Sequence, residues 1–144
     1  MSKLSNFNLQ PEILLGEEEH RKLLILALSG AGHTADAADD LLYELERARI
    51  RPDNAIPPDT VRMGSVVRYR TENGQTQQVR LVYPGAADIS KGAVSVLTPV
   101  GTALIGLRTG QSITWTTRDG RRSVLTILAV VNPPDPDPEL PPAA

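Results

Sequence analysis

The spacing of hydrophobic positions divides the chain into a helical first third and a strand-rich remainder. After Glu17, apolar residues recur at intervals of three and four, first over 23–28 and then over 38–48. This is the period of amphipathic helices. Gly30 and Gly32 separate the two stretches and end the first helix. The sequence therefore predicts two helices that turn back on each other as an antiparallel hairpin, a short coiled coil.

The boundaries of this hairpin carry further local signals. Upstream of it, residues 12–15 are apolar after one acid and predict a short strand or an extended lead-in. Thr34 fits the N-cap position of the second helix. That helix is predicted to run for about 16 residues, a length of about 24 Å.

After a proline-rich segment at 52–59, the hydrophobic period changes from helical to alternating, which is typical of strands. Asn73-Gly74 predicts a tight hairpin turn between the first two strands. Gly120 ends a second turn before the last strand, 123–131, whose weak alternation indicates a central place in the sheet. We expect about five strands, with one short helix from Pro99 to about Leu107.

These elements predict an α+β chain in four parts. They are an N-terminal segment with the helical hairpin (1–51), a proline-rich linker (52–59), an antiparallel sheet domain with one short helix (60–131) and an acidic tail (132–144). The tail holds six of the twelve prolines and three acids, a composition that predicts disorder.

Composition excludes most catalytic chemistry. The chain has no cysteine and two histidines, so thiolate nucleophiles, cysteine-based metal sites and three-histidine sites have no residues to use. We predict a protein that is not an enzyme and has no catalytic residues, no cofactor and no metal. The longest aliphatic run, 23–28, is far below the ~20 residues needed to span a bilayer, so we expect a cytoplasmic protein without a membrane partner.

The net charge of −2 hides a strong polarity along the chain. Residues 1–50 hold five Lys/Arg against nine Asp/Glu, residues 51–131 hold ten against five, and residues 132–144 hold none against three. An acidic hairpin on a basic body can orient the molecule on a partner. Three arginines flank the last turn, but Trp115 is the only aromatic residue nearby, so direct sequence-specific binding of nucleic acid is not predicted.

Two groups of residues are candidates for function. Asp36, Asp39 and Asp40 lie near the tip of the hairpin, where carboxylates could help to hold Mg²⁺, although acids in the first turn of a helix are also stabilising without any metal. The second group is 97–106, in which Thr98 fits an N-cap and Pro99 the first helical position. Its glycines require a close neighbour, either another strand or a partner protein.

The order of these parts, together with Val82-Tyr-Pro84 and the segment 97–107, resembles the Gre transcript-cleavage factors. It resembles more closely their short-armed relatives, the Rnk-type regulators of nucleoside diphosphate kinase. This resemblance covers about Glu12 to Val131 and includes Glu44-Leu-Glu-Arg-Ala48 in the arm. It implies an FKBP-like sheet domain that docks on RNA polymerase near the secondary channel. In Gre factors the docking loop is Asp-Ser-Pro, whereas Leu97-Thr-Pro99 occupies those places here, which favours an apolar contact.

The resemblance gives a leading hypothesis and two alternatives. The leading one is a non-enzymatic transcription regulator that binds RNA polymerase, competes with Gre-type factors and does not stimulate transcript cleavage. The alternatives are a transcript-cleavage factor whose tip acids hold Mg²⁺, and a protein-interaction regulator of nucleoside diphosphate kinase. The predicted polymerase-binding residues are Leu97, Thr98, Pro99, Val100, Ala103 and Leu104, and the tip acids are Asp36, Asp39 and Asp40.

Overall fold

The N-terminal part is an antiparallel helical hairpin, as predicted. The computed structural model describes residues 9–29, 35–116 and 120–132. Helix α1 is Glu17–Ser29 and helix α2 is Ala35–Arg47. Nε2 of His20 lies 3.1 Å from the carbonyl oxygen of Leu45, so the start of α1 lies beside the end of α2. The predicted interhelical loop and the Thr34 cap fall outside the described residues.

A short parallel ribbon closes the base of the hairpin. Strand β1, Leu14–Gly16, pairs with β2, Arg49–Arg51. The first of these agrees with the predicted strand over 12–15, whereas β2 has no signal in the sequence. It has only three residues, Arg-Ile-Arg, and all are exposed, so the run is too short to show the alternation of a strand.

The sheet that follows has five strands and one short helix, as predicted. The strands are β3 (Val66–Thr71), β4 (Thr76–Val82), β5 (Ala93–Ser95), β6 (Ser112–Thr116) and β7 (Arg122–Val131), in the order β5-β4-β3-β7-β6. The last strand in sequence is indeed internal. One detail of the prediction is wrong: β5 runs parallel to β4, while the other neighbours are antiparallel. The connection 83–92, which contains two 3₁₀ turns, leads the chain from the end of β4 back along that strand, so that β5 can run in the same direction as β4.

Helix α3, Pro99–Leu104, is shorter than the predicted span to Leu107. It ends because Ile105 leaves the helical conformation, with a ψ of 131°, and Gly106 has a φ of +81°. A Cβ at Gly106 would lie 2.8 Å from Cβ of Ile13, and one at Gly101 would lie 2.1 Å from the carbonyl oxygen of Ser95. Both glycines are therefore required by close packing within the chain.

One hydrophobic core joins the hairpin to the sheet. It includes Leu23, Leu41 and Leu45 of the helices together with Leu81 and Ile127 of the sheet, each at most 2% exposed. The described part of the hairpin is consequently packed against the sheet domain. Among the described residues, no helix has the length and apolar character that crossing a membrane requires.

A polar cluster, absent from the sequence-based expectations, adds to this attachment. Oε2 of Glu19 accepts a hydrogen bond from the backbone N–H of Met63 at 2.9 Å. Arg62 lies 3.5 Å from Oε1 of Glu19 and pairs with Asp53 at 2.9 Å. Asp53 in turn accepts a hydrogen bond from the N–H of Glu18. The proline-rich segment thus contacts both the hairpin and the residues that lead into the sheet. The division into an arm, a linker and a sheet domain stays a prediction.

Candidate functional site

The segment between β5 and α3 is held rigidly by its own hydrogen bonds. Oγ1 of Thr98 accepts from the N–H of Gly101 at 3.0 Å and donates to the carbonyl oxygen of Ser95 at 2.7 Å. Oγ1 of Thr102 donates to the carbonyl oxygen of Val96 at 2.6 Å. Thr98 is therefore the N-cap, and Pro99 is the first residue of the helix, as predicted.

Burial separates the predicted docking residues into two groups. Leu97 is 7% exposed, Ala103 is 5% exposed and Leu104 is completely buried, and all three belong to the core. Thr98, Pro99 and Val100 are partly exposed. In this conformation, a partner can reach the segment mainly at 98–100, because Leu104 is completely buried and only a small part of Ala103 is exposed.

The structure brings the tip acids and the docking segment together. Asp36, Asp39 and Asp40 are exposed on the first turns of α2. They line a concavity of about 410 Å³ whose other wall includes Leu97 and Pro99. This proximity joins two regions about 60 positions apart in sequence, and no local pattern could have predicted it.

A second concavity of about 410 Å³ continues from the first. The two share Asp40, Pro99 and Thr116. The second is lined further by residues of α2, α3 and the edge strand β6, among them Tyr43, Thr102 and Trp115. We call the two concavities together the docking groove. It has an acidic wall on α2, a floor of Pro99, Thr102 and Ala103 at α3, and β6 opposite, together with Arg122 of β7.

The acidic wall is anchored by a buried ion pair. Glu44 is 8% exposed and lies 2.8 Å from Arg47. Burial raises the pKa of the Glu44 carboxyl, and the nearby Arg47 guanidinium partly opposes this shift. Arg47 also donates to the carbonyl oxygen of Pro11 at 2.7 Å. These two residues of the Glu44–Ala48 segment therefore fix α2 beside the chain that enters β1.

The described part of the chain contains no cluster of three or more potential metal ligands. Within 9–29, 35–116 and 120–132, no three Asp, Glu, His or Cys side chains converge as ligands. Asp36, Asp39 and Asp40 follow one another along the start of a helix and face solvent. Their arrangement fits an electrostatic surface better than a chelating site.

With this geometry in view, comparison with known proteins identifies the family. The family model described as "Transcription elongation factor, GreA/GreB, C-term" matches residues 56–132. That range contains the whole five-stranded sheet and α3. The chain belongs to the GreA/GreB family. The predicted resemblance and the α+β fold class are thereby confirmed.

Two of the similar proteins match most of the chain, and therefore more than the sheet domain. The chain is 34% identical over 127 residues to the regulator of nucleoside diphosphate kinase of Escherichia coli (strain K12), covering 88% of this chain and 93% of that protein. A transcription elongation factor GreA of Syntrophobacter fumaroxidans is 42% identical over 60 residues, 42% of this chain and 38% of that protein. The solved structure of a prokaryotic transcription elongation factor GreA/GreB from Nitrosomonas europaea matches with a TM-score of 0.65 at 35% identity, over 85% of this chain and 99% of that one. Within the family, the chain is thus similar over most of its length to the regulator of nucleoside diphosphate kinase.

Proposed function

We propose that this chain is a transcription regulator that binds RNA polymerase near the secondary channel and has no catalytic activity of its own. It acts in the cytoplasm, competes there with Gre-type factors and does not stimulate cleavage of the transcript. Membership in the GreA/GreB family supports this proposal, because a relative is named as a transcription elongation factor. The proposed docking residues are Thr98, Pro99 and Val100, with the edge of Leu97.

The observation that carries the proposal is the position of the tip acids. Helix α2 has 13 residues, a length of about 20 Å, and Asp36 and Asp39 line the same concavity as Pro99. A partner that occupies the groove at Pro99 therefore meets these carboxylates at the docking surface itself. They cannot at the same time reach a metal ion deep inside that partner, which supports a regulator that does not promote cleavage.

Binding to purified RNA polymerase tests the docking surface. Pro99→Glu introduces a charge in the middle of the groove at a first helical position, where an acid is compatible with the helix. We expect it to abolish co-elution with the polymerase and competition with a Gre factor. Ile89→Glu adds the same charge at a side chain that is 83% exposed and outside the groove residues, and this control should bind as the parent does. Equal binding by both variants, or no binding by the parent, would refute the proposal.

A cleavage assay tests the absence of catalytic assistance. Backtracked complexes of polymerase and RNA are incubated with the full chain, and the length of the RNA is followed on a gel. We expect no shortening above the intrinsic rate. If the RNA is shortened and Asp39→Ala with Asp40→Ala removes the effect, the chain is a cleavage factor and the proposal is wrong.

One observation favours a second candidate function. The E. coli relative that covers most of this chain is named as a regulator of nucleoside diphosphate kinase. Under this candidate, the same groove binds that kinase instead of the polymerase. Purified kinase is assayed for phosphate exchange between ATP and a nucleoside diphosphate, with and without the full chain. A change in rate that Pro99→Glu removes, together with no binding to polymerase, would support the second candidate over the first.

A further inference from the structure

The outer face of the sheet carries a row of arginines that the docking groove does not use. Val67 and Tyr69 of β3 are buried, so Arg68 and Arg70, which alternate with them, point to solvent. Arg80 of β4 is exposed on the same face. None of these three residues lines either concavity of the groove.

The register of β3 and β4 fixes how these charges are spaced. Arg68 lies opposite Gln78, and Arg80 lies opposite Val66. Arg80 is therefore a diagonal neighbour of Arg68, at about 7–8 Å between backbone positions. Arg70 is two residues further along β3, at about 7 Å. The three arginines form a diagonal row about 14 Å long.

In the part of the chain that the structure describes, none of these three arginines forms an ion pair with a carboxylate. The ion pairs found there involve arginines of the hairpin and of the residues that follow it: Arg21, Arg47, Arg49 and Arg62. Arg80 donates to the carbonyl oxygen of Gly64 at 3.0 Å, and Arg68 lies 3.4 Å from Oε1 of Gln78. Both guanidinium groups keep further N–H donors for a ligand.

The residues directly opposite the row on the neighbouring strands are uncharged, and the nearest acid along the chain, Glu72, accepts a hydrogen bond from the N–H of Val124 at 3.0 Å. Arg70 lies opposite Thr76 on one side and Thr126 on the other. Oγ1 of Thr126 is 2.7 Å from Oγ of Ser112 on the edge strand. Tyr69, the aromatic residue of β3, is 7% exposed and belongs to the core, so this strand offers no ring on which a base could stack.

We propose that this face binds the phosphate backbone of a single-stranded nucleic acid, without preference for base sequence. The planar guanidinium group presents a fork of donors that matches phosphate oxygens. The spacing of the row is comparable to that of successive phosphates along an extended strand, and a regular line of positive charge can follow such a backbone. Without stacking, the bases contribute nothing to recognition, so binding is electrostatic and depends strongly on salt.

Fluorescence anisotropy of a labelled single strand of about 12 nucleotides, in two unrelated sequences, tests this proposal with the full chain. For single strands the slope of log K against log salt is about −0.7 per neutralised phosphate. Three contacts predict a slope of about −2 for the parent and about −0.7 for Arg68→Gln with Arg70→Gln. Both sequences should bind equally.

The matched control is Arg21→Gln with Arg49→Gln, which removes the same charge from exposed arginines that are already ion-paired. It should leave the slope unchanged. The proposal is overturned if the parent does not bind at low salt, if the control weakens binding as much as the sheet variant, or if an acidic peptide of equal charge binds as tightly as the nucleic acid. The last result would assign the face to an acidic protein.

Discussion

Oδ1 of Asp53 accepts a hydrogen bond from the backbone N–H of Glu18 at 2.8 Å. A residue 35 positions downstream thus caps the first turn of α1, a role that is usually local to the helix. Oδ2 of the same carboxylate pairs with Arg62 at 2.9 Å. One side chain of the proline-rich segment therefore fastens the hairpin to the residues that lead into the sheet.

Asp53→Ala is expected to lower the free energy of unfolding by about 1–2 kcal/mol, since it removes the helix cap and a partner of Arg62. Urea denaturation measures this change. Asp53→Asn separates the two contributions, because the amide oxygen can still accept from Glu18 while the charge is lost. We expect the Asn variant to lose less stability than the Ala variant, and equal losses would contradict the capping role.

Gly101→Ala is expected to destabilise the chain by about 1–3 kcal/mol or more, because the added methyl group would overlap the carbonyl oxygen of Ser95. Gly85→Ala is the matched control, since no atom lies within 4 Å of the added carbon there. Thermal unfolding of both variants checks the contrast. A similar melting temperature for the two would show that α3 can move away from β5.

The pH dependence of stability should contain a contribution from Glu19. Burial raises the pKa of its carboxyl, and the N–H of Met63 and the guanidinium of Arg62 partly oppose the shift. Between the unfolded pKa of 4.5 and the higher folded value, the native state binds more protons, so this contribution to stability increases as the pH falls through that window. Glu19→Gln removes the titrating carboxyl group and, with it, this contribution to stability. We expect the urea midpoint of the parent, measured relative to that of the variant, to be higher at pH 4.5 than at pH 7. The same difference in midpoint at both pH values would argue against the raised pKa.

The exposed acids of the groove should accelerate binding to a partner more than they slow its release. Asp36→Asn with Asp39→Asn is expected to reduce the association rate with RNA polymerase, and the reduction should shrink as salt is added. Glu17→Gln with Glu46→Gln is the control, because it removes two exposed charges that do not line the groove. Surface plasmon resonance at low and high salt measures the association rates of both variants. An equal loss of association rate in both would show that the effect depends on net charge and not on the groove.

The sequence predicted the features that depend on neighbouring residues alone. The N-cap at Thr98, the proline at position 99, the glycine at 74 in the first hairpin turn and the two helices all follow from neighbouring residues, and the structure confirms them. The required close approach at Gly101 was also foreseen, although its partner, the carbonyl of Ser95, was not named.

Contacts between distant positions could not be predicted in this way. The parallel pairing of β1 with β2, the contact of Glu19 with Arg62 and the approach of Asp36 to Pro99 each join residues more than 30 positions apart. Arg49 and Arg51 flank a single apolar residue, and a run of three is too short to establish a period, so the sequence does not predict this strand. The groove itself depends on these contacts, which is why its residues appeared in the sequence as two unrelated groups.

Because α1 and α2 bury leucines alongside those of the sheet, we expect the helices and the strands to unfold as one cooperative unit. Calorimetry should record one transition, with no earlier loss of helicity. In a family member with a longer hairpin, both helices would be extended together at the end away from the shared core. The residues that pack against the sheet could then stay the same.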